Sequence, residues 1–436
     1  MAKPGTITAV KGFRDVLPEE SRRWRELEAI AAELFRGYGF GEIRVPLLER
    51  TELFARSLGE ATDVVEKEMY TFVDRDDASL TLRPEATASV ARAYLENGLV
   101  TSDPTARLFY RGPMFRRERP QRGRYRQFYQ IGAEVFGRED ALVDAELLVM
   151  LTRYLTAAGA RTTLELNSVG DAQCRPAYRE RLRAFARAHL EALCADCHRR
   201  IERNPLRLFD CKVEGCREVM ARAPRISQHL CDACRTHFDE VRALLDEQRV
   251  AYVLRPELVR GLDYYVRTAF ELVAEGLGAQ NAVGGGGRYD GLVAALGGPD
   301  VPGVGFALGL ERLAMATGAT AVEEARVPVA VLPLDPRAVA AALSLATRLR
   351  DQGWAVALEA AGRSLKALLR SADRRHARLA IILGEDELRS GRATIRDLLQ
   401  RRDSKEALPL DAAAPDLSRQ LDALCDATPP ERPSDA

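Results

Sequence analysis

The residue types best suited to chemistry are concentrated in one short arginine-rich stretch. Residues 116–126, RRERPQRGRYR, hold six arginines in eleven positions, although the chain has 64 basic and 64 acidic residues. Arginine carries a permanent charge on a planar group that can bind two phosphate oxygens at once. The next segment, QFYQIGAEVFG, alternates apolar residues with Gln130 and Glu134. This pattern predicts a hairpin that binds phosphate, with a carboxylate behind it; a solvated charged loop is the alternative.

A second motif, TLRPEATAS at 81–89, could bind an ammonium group. Pro84 fixes the direction of the backbone, and Glu85 and Thr87 place a carboxylate and a hydroxyl two positions apart. Alternatively, Thr87 or Glu85 could cap the start of a helix.

Two glycine-rich segments predict a close approach of the backbone to a ligand. They are GGGG at 284–287 and GVGFALGLERL at 303–313. Glycine inside a strand usually marks such an approach. Neither segment matches the phosphate loop or the dinucleotide-binding fingerprint. We therefore expect the glycines to form the floor of a different kind of ligand site.

A cysteine-rich region lies between residues 174 and 240, which holds seven of the eight cysteines and four of the five histidines. Two CxxC pairs frame it, and each pair can place two thiolates on one tetrahedral metal ion. The candidate ligands of a structural Zn²⁺ are Cys194, Cys197, Cys231 and Cys234. Reduced thiols packed in a small helical insert are the alternative, and Cys174 and Cys425 look unpaired.

The elements that must position these residues follow from apolar periodicity. The predicted helices are 21–39, 142–158 and 178–193, and the predicted strands are 43–47, 107–116 and 126–136. After Arg326 strands and helices alternate, which predicts a small α/β domain with a mostly parallel sheet.

Composition excludes several classes of protein. The net charge is zero, so no overall field attracts nucleic acid, and binding to a polyanion must come from local clusters. The first residues lack the apolar core of a signal peptide, and no run approaches the roughly 20 apolar residues of a membrane span. Eight cysteines in 436 residues do not suggest a secreted disulfide scaffold. We expect a cytoplasmic protein that does not bind a membrane.

The order of the motifs resembles that of class II aminoacyl-tRNA synthetases. The resemblance rests on GFGEIRVPLLE, FRRERPQRGRYRQF and GVGFALGLER. LVRGLDYY at 258–265 and GGGGRYDGL at 284–292 resemble the histidyl-tRNA synthetase family in particular. The match runs from about residue 8 to about residue 400. It implies an α+β catalytic domain with an antiparallel sheet, a small helical insertion and a C-terminal α/β anticodon-binding domain.

Changes in composition and pattern along the chain give the domain boundaries, and the resemblance implies a homodimer. The expected regions are a catalytic domain at 1–173 and 241–325, a Cys/His-rich insertion at 174–240, an anticodon-binding domain at 326–425 and a disordered tail at 426–436.

The activity implied by the resemblance is that of a histidine–tRNA ligase. Such an enzyme activates histidine with ATP and then transfers it to tRNA(His). Mg²⁺ would bridge the phosphates, with Glu118 or Glu134 nearby. The implied catalytic residues are Arg116, Arg260 and Arg312, and these three with Arg124 would bind ATP. The implied histidine-binding residues are Glu85, Ala86, Thr87, Gln130, Glu134, Tyr264 and Tyr265.

A histidine-sensing regulatory paralogue without aminoacylation is the alternative. Such a protein resembles the regulatory subunit of ATP phosphoribosyltransferase, which lacks the last α/β domain. This chain has that domain and keeps Arg116, Arg260 and Arg312. These features favour the enzyme.

Overall fold

The computed structural model describes residues 6–59, 62, 64–259, 264–275, 281–317, 329–404, 407–411 and 413–426. The chain divides into two compact units, Met1–Thr320 and Ala321–Ala436. The domain boundary expected at 325/326 lies outside the described residues, as does the expected tail beyond Asp426. None of the described helices combines the length and the apolar character needed to cross a membrane.

The first unit combines helices with two sheets. Its helices are α1 (Pro18–Gly37), α2 (Thr51–Leu58), α3 (Thr87–Glu96), α4 (Leu99–Ser102), α5 (Ala141–Ala157), α6 (Arg175–Ala188), α7 (Ala195–Arg203), α8 (Glu214–Ala221), α9 (Asp232–Glu247), α10 (Leu292–Ala295) and α11 (Leu310–Ala316). Its strands are β1 (Gly41–Glu42), β2 (Leu48–Arg50), β3 (Tyr70–Val73), β4 (Ser79–Leu82), β5 (Arg107–Phe115), β6 (Gln127–Phe136), β7 (Thr162–Ser168), β8 (Tyr252–Leu254), β9 (Val266–Ala274), β10 (Ala282–Arg288) and β11 (Gly303–Gly309).

The large sheet has the order β1-β5-β6-β11-β10-β9-β7-β8. Its central pairs are antiparallel, and only the edge pairs β1–β5 and β7–β8 are parallel. The predicted arginine hairpin is confirmed, because β5 and β6 pair from Arg107↔Val135 to Phe115↔Gln127. Strands β2, β4 and β3 form a separate small sheet. The α+β class expected for the catalytic region is confirmed.

Helix α1 confirms the periodicity of the first predicted helix. Its buried face, Trp24, Leu27, Ala31 and Phe35, packs in the same hydrophobic cluster as α5 and the large sheet. The strand predicted over 43–47 is wrong, since strands β1 and β2 flank this segment instead. Pro46 lies inside it and lacks the N–H that a strand would donate.

Helices α6, α7 and α8, with the start of α9, form the small helical insertion. Their apolar residues and seven of the cysteines pack in a hydrophobic cluster separate from that of α1 and α5.

The second unit contains β12 (Val329–Pro333), α12 (Val339–Asp351), β13 (Val356–Leu358), α13 (Leu365–Arg374), β14 (Leu379–Leu383), α14 (Glu385–Ser390), β15 (Arg392–Asp397), β16 (Arg402–Asp403), β17 (Leu408–Pro409) and α15 (Ala414–Asp426). The order β13-β12-β14-β15-β16 begins with parallel pairs, and β15 is antiparallel to β14. The predicted α/β alternation is confirmed, but the prediction of a mostly parallel sheet is wrong, since two of the described strand pairs are parallel and three are antiparallel.

A buried ion network holds the large sheet to two helices. The side chain of Arg288, at the end of β10, is 0% exposed and pairs with Asp144 of α5 at 2.5 Å and with Asp290 at 2.9 Å. Asp144 also contacts His237 of α9, with 2.8 Å between Oδ2 and Nε2. The Arg288 and His237 partners hold the pKa of Asp144 below its ordinary value although burial opposes this. The opposite charges of Arg288 and Asp144 therefore stabilise each other inside the fold.

We expect Arg288→Met to lower the free energy of unfolding of the first unit by about 3–5 kcal/mol, because it leaves the Asp144 carboxylate buried without its cation. Urea unfolding should be followed by Trp24 fluorescence in a Trp354→Phe background, since these are the only two tryptophans and Trp354 lies in the second unit. The exposed pair of Arg187 and Glu202 supplies the control, and Arg187→Ala should leave the midpoint unchanged. An equal effect of both substitutions would contradict the prediction.

Candidate active site

One cavity of the first unit, about 240 Å³, brings together most of the predicted site residues. The predicted residues that line it are Glu85, Thr87, Arg116, Arg124, Gln130, Tyr264, Tyr265 and Arg312. Ala86 is fully buried at the start of α3 and does not line the cavity. Arg260 lies outside the described residues.

Two members of the arginine stretch face the cavity. The Nε of Arg116 donates to the carbonyl of Pro84 at 2.8 Å, and its guanidinium lies 5.4 Å from the ring centroid of Phe128. Arg124 pairs with Glu118 at 2.7 Å, and both side chains line the cavity wall. A backbone carbonyl and an aromatic face thus fix the guanidinium of Arg116, which forms no ion pair with a carboxylate among the described residues.

The other four arginines of the stretch do not line the cavity. Arg117, Arg119 and Arg122 are exposed, and Arg126 donates from Nε to the carbonyl of Glu118 at 3.2 Å. The stretch is therefore divided between the cavity and the solvent-facing surface. The sequence could not separate these two groups, because the chain between β5 and β6 has no regular periodicity.

Arg312 reaches the cavity from α11. Its Nε donates to the carbonyl of Gly123 at 3.2 Å, and its Nη1 donates to the carbonyl of Ala282 at 2.5 Å. Gly123 has a φ of 72°, a left-handed conformation that glycine adopts without strain. Burial lowers the pKa of Arg312, and the neighbouring Arg124 charge lowers it further. Arginine nevertheless keeps its proton, so the cavity holds a half-buried fixed charge.

The TLRPEATAS motif both caps a helix and lines the cavity. The Glu85 carboxylate accepts the backbone N–H of Thr87 at 2.6 Å and that of Ala88 at 3.0 Å, at the start of α3. Burial raises the pKa of Glu85, whereas these hydrogen bonds and the Arg116 charge oppose the rise. The capping alternative is therefore realised, and the capping fixes the carboxylate at the cavity wall.

Gln130 offers an unused acceptor. Its side-chain Oε1 is buried and has no hydrogen-bond partner among the described residues. A buried polar atom without a partner costs about 1–3 kcal/mol. Because Gln130 lines the cavity, a ligand that donates a hydrogen bond there would remove this cost.

Glu134 lies behind the cavity wall. Its side chain is fully buried and accepts hydrogen bonds from the hydroxyls of Thr87 at 2.8 Å, Tyr289 at 2.5 Å and Tyr110 at 3.3 Å. Burial raises the pKa of Glu134 to about 8, although the three hydroxyl donors oppose the rise. Glu134 was predicted to line an imidazole pocket, but it is not among the described residues that line the cavity, and it contacts the lining residue Thr87.

The glycine segments permit close packing around this carboxyl group. A Cβ atom added to Gly305 would lie 1.7 Å from Oε2 of Glu134, and one added to Gly286 would lie 2.0 Å from the carbonyl oxygen of Gly305. Gly284, Gly285 and Gly309, by contrast, line the cavity. The predicted glycine floor thus has two roles. Some of its glycines line the cavity, and others leave room for the carboxyl group of Glu134.

The two adjacent tyrosines pack together at the cavity. The ring centroids of Tyr264 and Tyr265 lie 4.6 Å apart, and that of Tyr264 lies 5.7 Å from the ring of Tyr289. Both tyrosines line the cavity, and both also contact the hydrophobic cluster beneath it.

Sequence reasoning missed four residues of this region. Glu271 of β9 and Glu311 of α11 line the cavity, and Tyr110 and Tyr289 hold Glu134. Both carboxylate oxygens of Glu311 accept the N–H of Tyr129 at 3.1 Å, and burial raises the pKa of Glu311 to about 7. Tyr289 stands in the GGGGRYDGL motif, which could have pointed to it. Glu271 stands in an ordinary strand pattern, TAFELV, and carried no signal.

The predicted zinc ligands do not form one group, which corrects the expected ligand set. Cys194 and Cys197 lie with Cys211 and Cys216, whereas Cys231 and Cys234 lie with Asp171 and Cys174. Sequence spacing joined the two CxxC pairs, but the fold gives each pair different partners.

Comparison with known proteins now identifies the family. A sequence model described as histidyl-tRNA synthetase matches residues 12–313, and one described as an anticodon-binding domain matches residues 328–420. The chain belongs to the histidyl-tRNA synthetase family. It is 52% identical over 404 residues to the histidine–tRNA ligase of Anaeromyxobacter dehalogenans, covering 92% of this chain and 97% of that protein. It is 54% identical over 394 residues to the one of Nitratidesulfovibrio vulgaris, covering 90% and 94%.

Solved structures of the family share the fold. The apo histidyl-tRNA synthetase of S. aureus is 35% identical with a TM-score of 0.77, covering 94% of this chain and 100% of that one. A Bacillus halodurans protein described as an ATP phosphoribosyltransferase regulatory subunit/histidyl-tRNA synthetase has a TM-score of 0.62, covering 85% and 97%. Because that protein is only 21% identical, it shows the fold alone.

We expect the stability of the unliganded protein to depend on pH through Glu134. The pKa of Glu134 is about 8 in the folded state, compared with an ordinary value of 4.5. The stability that comes from keeping its carboxyl group protonated is therefore fully present below pH 4.5 and is lost as the pH rises towards 8. Glu134→Gln should remove this loss, because the amide cannot ionise. Thermal unfolding at pH 5 and pH 8 should therefore show the variant gaining stability relative to the parent as pH rises. A difference that does not change with pH would contradict this assignment.

Proposed function

We propose that this histidine–tRNA ligase activates histidine with ATP in the cavity. In the first step a carboxylate oxygen of histidine attacks the α-phosphorus of ATP, and the bond from that phosphorus to the bridging oxygen of pyrophosphate breaks. In the second step a ribose hydroxyl at the 3′ end of tRNA(His) attacks the activated carbonyl, and AMP leaves. In both steps negative charge develops on oxygen atoms in the transition state. A cation fixed beside those atoms stabilises this charge.

The observation that carries this proposal is the anchoring of Arg116 and Arg312. Backbone carbonyls hold both guanidiniums in the cavity wall, and neither forms an ion pair with a carboxylate among the described residues. Cations fixed before the substrate arrives need no reorganisation when phosphate charge develops. We assign Arg116 to the α-phosphate and the histidine carboxylate, and Arg312 to the γ-phosphate. The role of Arg260 beside the α-phosphate rests on the family resemblance.

The residues that would bind histidine lie on the part of the cavity wall that carries Glu85. Glu85, Thr87 and Gln130 would receive the α-ammonium group, and the unpartnered Oε1 of Gln130 supports this assignment. Tyr264 and Tyr265 would line the imidazole, which offers one donor and one acceptor when neutral. Glu134 would act on this pocket by holding the hydroxyl of Thr87.

ATP binding requires Mg²⁺ in this class of reaction, and the cavity has carboxylates that suit it. Mg²⁺ prefers oxygen ligands and is usually held by one or two carboxylates together with substrate phosphates. Glu118 and Glu271 line the same cavity as the arginines and would hold the ion. When bound, the ion would neutralise part of the charge on the phosphates of ATP. Arg124, which pairs with Glu118, would also contact ATP.

tRNA(His) would contact two surfaces of the chain. The exposed Arg117, Arg119 and Arg122 follow the cavity arginines along the hairpin and suit the phosphates of the acceptor end. The second unit matches an anticodon-binding domain and would bind the other end of the tRNA. We further propose that the enzyme acts as a homodimer in the cytoplasm. The regulatory alternative is less well supported, because sensing histidine would require neither Arg312 nor the second unit.

The reaction is tested by amino-acid-dependent exchange of pyrophosphate into ATP with each of the twenty amino acids. We expect exchange with histidine alone, since a pocket that pairs the polar groups of one side chain discriminates by about 10⁴-fold or more. Arg116→Ala should reduce this exchange by about 100- to 1000-fold. Arg119→Ala is the matched control, because Arg119 is exposed in the same stretch, and it should leave the exchange unchanged. Equal rates for both variants would remove Arg116 from the mechanism.

We expect Gln130→Leu to raise the KM for histidine far more than the KM for ATP. Leucine has a similar volume but cannot accept the hydrogen bond of an ammonium group. The two KM values should be measured from steady-state pyrophosphate exchange. An equal rise in both would place Gln130 outside the amino-acid end of the site.

A further inference from the structure

The insertion contains a compact group of four cysteines. The sulfurs of Cys194, Cys197, Cys211 and Cys216 all lie within 4.8 Å of one another. The Sγ atoms of Cys194 and Cys211 are 3.8 Å apart. Bonds of about 2.3 Å from Zn²⁺ to sulfur place two sulfurs of a tetrahedral site about 3.8 Å apart. A disulfide would need about 2.05 Å, and all eight cysteines are free thiols.

Short helices bring these four sulfurs together. Cys194 directly precedes α7 and Cys197 lies in its first turn, whereas Cys216 lies in the first turn of α8. The N–H of Cys194 donates to the sulfur of Cys216 at 3.2 Å. Such a hydrogen bond orients the sulfur and is typical of the surroundings of a metal ligand.

A second group combines three cysteines with one carboxylate. Asp171, Cys174, Cys231 and Cys234 also have ligand atoms within 4.8 Å of one another. The sulfurs of Cys174 and Cys234 are 3.8 Å apart, and Oδ1 of Asp171 lies 3.4 Å from the sulfur of Cys174 and 3.8 Å from that of Cys231. Zn²⁺ with bonds of about 2.1 Å to oxygen and about 2.3 Å to sulfur places those atoms about 3.6 Å apart. The second group therefore fits the same ion.

We propose that the insertion holds two structural Zn²⁺ ions, one bound by four cysteines and one by three cysteines and Asp171. The alternative, thiols packed as small apolar residues, explains neither the sorting of eight ligands into two tetrads nor a carboxylate among three sulfurs. The insertion is also small, with α6, α7 and α8 packed on a separate cluster that includes seven of the cysteines. A region with so small a core commonly needs a metal or a disulfide for stability.

The two sites have different structural consequences. The four-cysteine site lies within the insertion. The ligands Asp171 and Cys174 of the second site instead follow β7 of the large sheet. Asp171 lies 3.9 Å from Nε of Arg267, whose backbone N–H donates to the carbonyl of Gly170 at 2.8 Å.

The same loop supports the amino-acid end of the cavity. Arg175 follows the ligand Cys174 and donates to the backbone carbonyl of Tyr265, which lines the cavity, and also to that of Val169. The second ion would therefore fix the loop next to Tyr265. This step rests on the proposed function of the cavity, whereas the presence of the ions does not.

Metal content tests the proposal without reference to activity. The full chain, produced with added zinc and purified without chelator, should contain two Zn²⁺ per chain by plasma mass spectrometry. Cys211→Ser should reduce the content to one, and so should Cys234→Ser. Cys425→Ser is the control, since Cys425 lies in the second unit, and it should retain both ions. A parent chain with one ion or none, or a loss of zinc in the control, would overturn the proposal.

Two further measurements keep the test decisive if a variant does not fold. Co²⁺ exchanged into the parent chain should give the visible absorption of tetrahedral thiolate-bound cobalt and should saturate at two ions per chain. Where both serine variants fold, Cys234→Ser should raise the KM for histidine in pyrophosphate exchange and Cys211→Ser should not. Cobalt that binds without tetrahedral bands would overturn the ligand sets. Equal KM values in the two variants would overturn the link to Tyr265 but not the two sites.

Discussion

The carboxyl group of Glu134 is the constraint on which the geometry of the cavity depends. It is buried, it forms no ion pair with a cation among the described residues, and burial raises its pKa to about 8. A polar group in such a place must be satisfied by hydrogen bonds, and Thr87, Tyr110 and Tyr289 supply them from three separate parts of the chain. These bonds fix α3 and the end of β10 against β6. The wall that carries Glu85 and Gln130 is thereby positioned.

The glycines of β10 and β11 follow from this constraint. The carboxyl group of Glu134 occupies the place of the side chain that any other residue would have at Gly305. Gly286 in turn lets β10 lie against β11. Glycine in the middle of a strand lowers the free energy of unfolding by about 0.5–1 kcal/mol relative to alanine. At Gly309 the absence of a side chain leaves the floor open for a ligand, because an added Cβ would have no neighbour closer than 3.6 Å, whereas one at Gly284 would meet β11.

The arginines of this protein have two different kinds of hydrogen-bond partner. Arg288 is buried among carboxylates and stabilises the fold. Arg116 and Arg312 are held by carbonyl oxygens instead, so their positive charge stays available in the cavity. Since the sequence shows only arginine in each case, the type of partner decides whether the residue is structural or takes part in binding phosphate.

The sequence by itself determined the family, the fold class and most of the cavity wall, because short motifs with strict residue types carried them. The arginine hairpin and the TLRPEATAS motif both contribute residues that line the cavity. Tertiary structure alone decided which arginines face the cavity, that Glu134 lies behind Thr87, and that Glu271 lines the wall. It also sorted the cysteines, pairing Cys231 and Cys234 with Asp171 instead of with the first CxxC pair. The physical reason is that these facts depend on contacts between residues far apart in the chain, which local periodicity and spacing do not encode.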